Sequence, residues 1–148
     1  MRLDEYSRFD AVGLSELVAR GDVSAAELQQ CALAAHDEVS GRINAVVAVS
    51  PSEESSPVSR GPLAGVPTMV KDLFHGQAGL PCGNGSRLSE GWQVAHSTQI
   101  YARTVAAGMT SVGRTTTSEF GIMGTTETLA QGATRSPWSV DHLSLIHI

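Results

Sequence analysis

The sequence predicts an α/β fold in which a mixed, largely parallel sheet is flanked by helices. Apolar runs of strand length alternate with stretches that carry an apolar stripe at helical spacing. In the second half of the chain the predicted order is strand, helix, strand. That order is typical of a crossover unit, which joins two parallel strands and places its helix on a face of the sheet.

Two helices are predicted near the beginning of the chain. The first extends from Asp10 to Gly21, has its apolar residues on one face and ends at the glycine. The second begins with a capping-box pattern formed by Ser24 and Glu27, and its apolar stripe continues up to Gly41. We expect the second helix to cover the sheet.

Three apolar runs predict the strands. The continuous run from Ile43 to Val49 fits a strand that is covered on both faces. The uncharged run from Val66 to Val70 predicts a short buried strand. A helix capped by Ser97 and extending to Ala107 is predicted next, and the run from Met109 to Gly113 predicts the strand that follows it.

Three segments are predicted as loops. Residues 50–60 are polar and contain prolines, as in a surface connection. Residues 76–85 are rich in glycine and are interpreted as the wall of an active site, since the alternative of a phosphate-binding loop lacks the pattern G-x-x-x-x-G-K-[ST]. Residues 114–126 are rich in hydroxyl groups, which either contact substrate or satisfy local turns and helix caps.

Composition and charge exclude several classes of function. The net charge of −5 and the scattered basic residues argue against binding of DNA or RNA. The cysteines Cys31 and Cys82 lack metal or redox spacing and are expected to be free thiols, and the five histidines show no metal-binding pattern. Neither a signal peptide nor an apolar run of membrane-spanning length is present, so a cytoplasmic location without membrane association is expected.

Lys71 is the candidate catalytic residue, because it ends the apolar run and begins the glycine-rich loop. A buried strand would carry its amine inward, where loss of solvent disfavours the ammonium form and leaves a base. Asp72 lies on the opposite face of a strand and need not be its ion-pair partner. The alternative is an ordinary surface lysine that extends into water or pairs with a carboxylate. His75, the nearest histidine, is expected to be a solvent-facing loop residue.

The loops that leave Lys71 and Gly113 are expected to face one crevice, since ligands of open α/β sheets bind beyond the carboxyl ends of the strands. Several segments around these loops, in this order, resemble the amidase signature family: GPLAGVPTMVKD, AGMTSVGRTTTSEFG and GATRSPWSVDHL. The similarity extends from Tyr6 to Leu143.

The resemblance implies an amidase that hydrolyses a small-molecule amide through a serine acyl-enzyme, with a Ser–cis-Ser–Lys triad. Lys71 would accept the proton that a bridging serine relays from the nucleophilic serine, and backbone N–H groups would hold the oxyanion. It also implies that neither a metal nor an organic cofactor is needed, and it assigns structural support to Glu119 and Phe120. Substrate-binding residues remain unassigned, and a homodimer of the full-length parent is left open.

The chain departs from the family pattern in two ways. Thr116 and Ser136 stand where asparagine is usual, which leaves the subfamily open. After Leu143 the expected G-G-S-S-G-G is absent, so residues 1–143 are interpreted as the N-terminal portion of one incomplete α/β/α amidase-signature domain and residues 144–148 as a foreign tail.

The absence of both serines from this sequence predicts that the 148-residue chain alone is inactive, and only part of the sheet is expected to be present. Two alternatives remain open: the amidase-like subunit of a tRNA-dependent amidotransferase, or a non-catalytic truncated module. The opening from Tyr6 to Val49 resembles stand-alone amidases more than it resembles the amidotransferase protein.

Overall fold

The computed structural model describes residues 1–49 and 60–144. Except for Arg60 and Ser144, the predicted connection at 50–60 and the predicted tail at 144–148 lie outside the described residues. The helices are α1 (Leu3–Tyr6), α2 (Ala11–Arg20), α3 (Ala25–Ile43) and α4 (Gln99–Ala106). The strands are β1 (Val46–Val49), β2 (Pro67–Lys71), β3 (Thr110–Thr115), β4 (Glu127–Thr128) and β5 (Gly132–Ala133).

The main sheet has the strand order β1-β3-β2. β2 and β3 are parallel, with Lys71 opposite Thr115, and α4 forms the crossover between them. β1 is antiparallel to β3, with Val49 opposite Gly113. The sheet is therefore mixed, as predicted, and of its two described pairings one is parallel. β4 and β5 form a separate antiparallel pair.

The predicted bounds of the first helix and the predicted capping box of the second helix are confirmed. The side chain of Asp10 accepts a hydrogen bond from the Gly13 amide at 2.8 Å, and Gly21 ends α2 in the left-handed conformation with φ of 76°. Ser24 and Glu27 form the capping box of α3.

The predicted end of α3 at Gly41 is wrong. The helix continues to Ile43 and ends at Asn44, which has a φ of 51° and donates its amide N–H to the Ser40 carbonyl. A glycine within a helix lowers stability but does not by itself terminate the helix.

The beginning of α4 also differs from the prediction by one residue. Thr98 rather than Ser97 caps the helix, because its hydroxyl accepts the Tyr101 amide. The Ser97 hydroxyl instead accepts the amide N–H of Ala78 at 3.0 Å, which fastens the glycine-rich loop to the beginning of α4.

The predicted strand from Ile43 to Val49 is shorter than expected and is not covered on both faces. Only Val46–Val49 is extended, and three of its four residues are exposed. Within residues 1–49 and 60–144 it lies at an edge of the sheet, so one side of the strand has no neighbour.

The main apolar core lies between α2, α3 and the segment that leads into β2. Its buried members are Leu14, Leu17, Val23, Leu28 and Val66. Leu28 is completely inaccessible to solvent. Such burial stabilises the fold by about 1.5–3 kcal/mol for each large aliphatic side chain. None of the helices in the described part of the chain is long and apolar enough to cross a membrane.

Candidate active site

Lys71 is the last residue of β2, and its side chain is exposed, which contradicts the expected burial. Side chains alternate along a strand, so Val70 and Asp72 share one face while Lys71 lies on the other. Val70 is 5% exposed and Asp72 is 3% exposed. The face that is buried is therefore the one that does not carry the lysine. Lys71 is also the only lysine of the chain.

Asp72 forms a buried ion pair with Arg114. Its Oδ1 lies 3.0 Å from the Arg114 Nε and also accepts the Gly83 amide at 2.9 Å. Its Oδ2 accepts a hydrogen bond from the Gln131 side chain at 2.7 Å. Asp72 need not pair with Lys71, as expected, because Arg114 is the ion-pair partner of the carboxylate.

Arg114 is a site residue that the sequence analysis missed. It is 7% exposed, and its Nη2 donates to the carbonyl oxygens of His75 at 2.7 Å and Lys71 at 3.4 Å. β3 extends to Thr115, beyond the predicted end at Gly113, so Arg114 lies in the strand and not in the predicted loop. The available signal was a charged residue directly after an uncharged run, because a buried charge needs a partner.

The loops that follow β2 and β3 begin side by side, but the cleft beside them is lined by the loop after β2 and not by residues 116–126. The Asp72 amide continues the parallel ladder by donating to the Thr115 carbonyl at 3.0 Å. This cleft of about 650 Å³ lies on the face of the sheet that carries the Asp72 side chain. It is lined by Asp72, Arg114, Gln131 and part of β1. The carboxyl ends of parallel strands are where open α/β sheets bind ligands.

The glycines of the 76–85 loop allow this loop to close on the ion pair. Gly76 has a φ of 146°, and a Cβ at this position would lie 2.5 Å from the Arg114 Nη1. A Cβ at Gly83 would lie 3.0 Å from the Asp72 Oδ2. A larger residue at Gly76 would therefore displace the Arg114 guanidinium, and one at Gly83 would crowd the Asp72 carboxylate.

Beyond the ion pair, an aromatic cluster is formed by Phe74, Trp92 and Phe120. The Phe74 and Phe120 rings stack with centroids 6.1 Å apart, and the Trp92 ring meets Phe74 edge-on at 6.4 Å. Glu119 accepts a hydrogen bond from the Ser86 hydroxyl at 2.6 Å. These internal contacts agree with the structural role predicted for Glu119 and Phe120.

His75 is half-buried, so the prediction of a solvent-facing loop histidine is wrong. Its Nδ1 lies 2.6 Å from the Thr98 hydroxyl. Burial, together with the nearby positive charge of Arg114, lowers the pKa of His75. The neutral imidazole is therefore favoured in the folded protein.

The hydroxyl groups of the 114–126 segment have mixed surroundings. Thr116 receives a hydrogen bond from Thr134 at 2.8 Å, which is a local structural role. The Thr117 hydroxyl is buried and has no hydrogen-bond partner among the described residues. The segment thus contains both a locally satisfied hydroxyl and one that the described residues leave without a partner.

Among residues 1–49 and 60–144, no group of three His, Cys, Asp or Glu side chains is arranged to hold a metal. Cys31 and Cys82 are both buried free thiols, as expected.

A comparison with known families decides the class of protein. The family model for Amidase matches residues 25–144. The chain belongs to the amidase family.

Curated relatives of this amidase-family chain include two kinds of protein. It is 34% identical to a glutamyl-tRNA(Gln) amidotransferase subunit from Salinispora arenicola (strain CNS-205), and the match covers 95% of this chain and 31% of that protein. It is 36% identical to the 6-aminohexanoate-cyclic-dimer hydrolase of Paenarthrobacter ureafaciens, with 88% of this chain and 27% of that protein covered. The chain thus spans less than a third of the length of either relative.

Solved structures agree with the fold assignment. The structure of a 6-aminohexanoate cyclic dimer hydrolase complexed with substrate superposes with a TM-score of 0.85 at 34% identity, over 91% of this chain and 29% of that one. The amidase-family chain therefore has the predicted α/β architecture.

Proposed function

We propose that this chain is the N-terminal part of an amidase that hydrolyses carboxamide C–N bonds, with Lys71 as the proton acceptor. The observation that carries the proposal is the Amidase match over residues 25–144. Lys71 lies within it, in the V-K-D element at the carboxyl end of β2. A strand end at the ligand-binding edge of an α/β sheet is a suitable place for a catalytic group.

In the proposed mechanism, the hydroxyl of a nucleophilic serine attacks the amide carbonyl. Its proton passes through a bridging serine to the Lys71 Nζ, and a new C–O bond replaces the C–N bond as the amine leaves with a proton. Water then cleaves the acyl-enzyme. Both serines belong to the part of the full-length protein that follows residue 143, so residues 1–143 supply the base and its support.

Because the Lys71 side chain is exposed, the proposed mechanism also needs a way to remove water from its amine. The chain covers 27–31% of its curated relatives, and β2 is an edge strand among the described residues. We propose that the remainder of the full-length protein packs against the exposed face of Lys71. Removing water from the amine would then disfavour its charged form and allow it to accept a proton.

A second candidate is the amidase-like subunit of a tRNA-dependent amidotransferase. The 34% identity to a glutamyl-tRNA(Gln) amidotransferase protein favours it. The stand-alone hydrolase is preferred, because the 36% identity and the TM-score of 0.85 both relate the chain to a cyclic amide hydrolase. As a stand-alone enzyme it would act in the cytoplasm on a small-molecule amide, without nucleic acid.

The test uses the longer protein obtained by extending the reading frame, with 6-aminohexanoate cyclic dimer and simple carboxamides as substrates. Lys71→Ala is expected to lower kcat by at least about 10²–10⁴-fold, the usual contribution of a general base. Arg60→Ala, which removes an exposed positive charge, is the control. Near-normal turnover by Lys71→Ala would overturn the assignment. Transfer of ammonia from an amide donor to glutamyl-tRNA, without hydrolysis of the cyclic dimer or the simple carboxamides, would favour the amidotransferase. The 148-residue chain alone is expected to be inactive.

A further inference from the structure

We propose that Asp72 and Arg114 form a positioning pair that fixes the backbone of Lys71 and acts on the reaction only through that lysine. The inference rests on the proposed function in assigning the proton acceptor to Lys71. The pair itself is defined by contacts of described residues, and its hold on Lys71 can be measured independently of activity.

The first step is that the Asp72 carboxylate is fully engaged. It is 3% exposed and accepts hydrogen bonds from the Arg114 guanidinium, the Gly83 amide and the Gln131 side chain. A buried carboxylate with one charged and two neutral donors has little freedom to move. Asp72 therefore anchors the residue directly after Lys71.

The second step is that Arg114 binds backbone carbonyl groups on both sides of Asp72 in the sequence. Its Nη2 donates to the His75 carbonyl at 2.7 Å and to the Lys71 carbonyl at 3.4 Å. The peptide unit between Lys71 and Asp72 is held at its other end by the bond from the Asp72 amide to the Thr115 carbonyl. Both polar groups of this peptide unit thus have partners on or next to β3.

The third step is that the exposed side chain of Lys71 receives little support of its own. Among the described residues, the backbone carbonyl of Lys71 accepts a hydrogen bond, but its Nζ takes part in neither a hydrogen bond nor an ion pair. Within residues 1–49 and 60–144, only the backbone therefore fixes where the Lys71 side chain begins, and the pair holds that backbone. A small displacement of a catalytic group can lower a rate about 10²-fold.

Gly76 offers a way to disturb the pair without removing a charge. A Cβ at Gly76 would lie 2.5 Å from the Arg114 Nη1, whereas a Cβ at Gly91 would have nothing within 4 Å. Both glycines have positive φ, 146° and 78°, so both substitutions introduce backbone strain. Only Gly76→Ala displaces the guanidinium, which makes Gly91→Ala a matched control.

The kinetic test uses the full-length protein that contains this segment. Gly76→Ala is expected to lower kcat about 10²-fold with KM changed less than about twofold, while Gly91→Ala leaves both near wild type. Arg114→Ala is expected to lose kcat similarly and to regain part of it when guanidinium chloride is added at non-denaturing concentration. The same addition should not restore Lys71→Ala. A folded Gly76→Ala or Arg114→Ala enzyme with wild-type kcat would overturn the proposal.

A second measurement separates this proposal from the proposed function. The Asp72 amide donates to the Thr115 carbonyl, so its hydrogen-exchange rate in the ¹⁵N-labelled full-length protein reports how firmly the Lys71–Asp72 peptide unit is held. Gly76→Ala should speed the exchange of this amide, and Gly91→Ala should not. An unchanged exchange rate in Gly76→Ala would show that the pair does not hold the Lys71 backbone. Faster exchange in a full-length protein without amidase activity would refute the function and leave the pair intact.

Discussion

The side-chain Oδ1 of Asn84 accepts the amide N–H of Phe74 at 2.7 Å, across ten positions of the glycine-rich loop. The backbone carbonyl of the same asparagine accepts the Phe120 amide at 2.8 Å. All three residues have a positive φ, at 51°, 46° and 49°. Such backbone strain persists only where surrounding contacts enforce it, and Asn84, which is 2% exposed, supplies those contacts to both loops.

Substitutions of Asn84 are expected to separate the contribution of its side-chain acceptor from that of its left-handed backbone conformation. Asn84→Gly keeps the positive φ but removes the acceptor for a backbone amide, which should cost about 1–3 kcal/mol of unfolding free energy. Asn84→Ala removes the acceptor and adds strain of about 1 kcal/mol, so it should be the less stable variant. Urea unfolding of the two variants measures both effects. Equal stability of the two would show that the left-handed conformation contributes nothing.

Leu28 is expected to be the most sensitive apolar position. It is completely inaccessible and lies in the cluster between α2, α3 and the entry to β2, so Leu28→Ala should cost about 2–5 kcal/mol. Leu88→Ala provides the control, since Leu88 is 87% exposed and its truncation should change stability by less than about 0.5 kcal/mol. Urea midpoints that fall equally for the two variants would contradict the placement of the core.

Local sequence rules predicted α2, the beginning of α3 and the crossover, whereas α1 was not predicted. The Ser24–Glu27 capping box and the left-handed Gly21 depend on neighbours within a few residues, so the sequence specifies them directly. The parallel pairing of β2 with β3 follows from the strand, helix, strand order. The family could be identified for the same reason, because its motifs are contiguous.

The exposure of the Lys71 side chain could not be predicted from local rules. The alternation of side chains along a strand places Lys71 and Asp72 on opposite faces of the sheet, but it does not determine which of the two faces is buried. That depends on Arg114, which is 42 positions away and becomes a neighbour of Asp72 only after the strands pair. β1 was mispredicted for a related reason, since an apolar run does not reveal that its strand lies at an edge among the described residues.

His75 is expected to make the stability of the chain depend on pH. Burial and the positive charge of Arg114 lower the pKa of His75 in the folded state, while the unfolded chain has the ordinary histidine value of about 6.5. As the pH falls through that value, the unfolded chain takes up a proton that the folded chain resists, so the unfolding free energy decreases. Above it both states are neutral at this position, and His75 contributes no pH dependence.

The measurement is urea unfolding at pH 7.5 and at pH 5.5 for wild type, His75→Asn and His96→Asn. Asparagine can still bond the Thr98 hydroxyl that lies 2.6 Å from the His75 Nδ1, but it does not titrate. His75→Asn should therefore lose less stability between the two pH values than wild type does. His96→Asn is the control for the removal of a histidine from an exposed position. If His75→Asn and wild type lost the same amount, the pH dependence would have to come from other groups, and Arg114 would not be repelling a proton at His75.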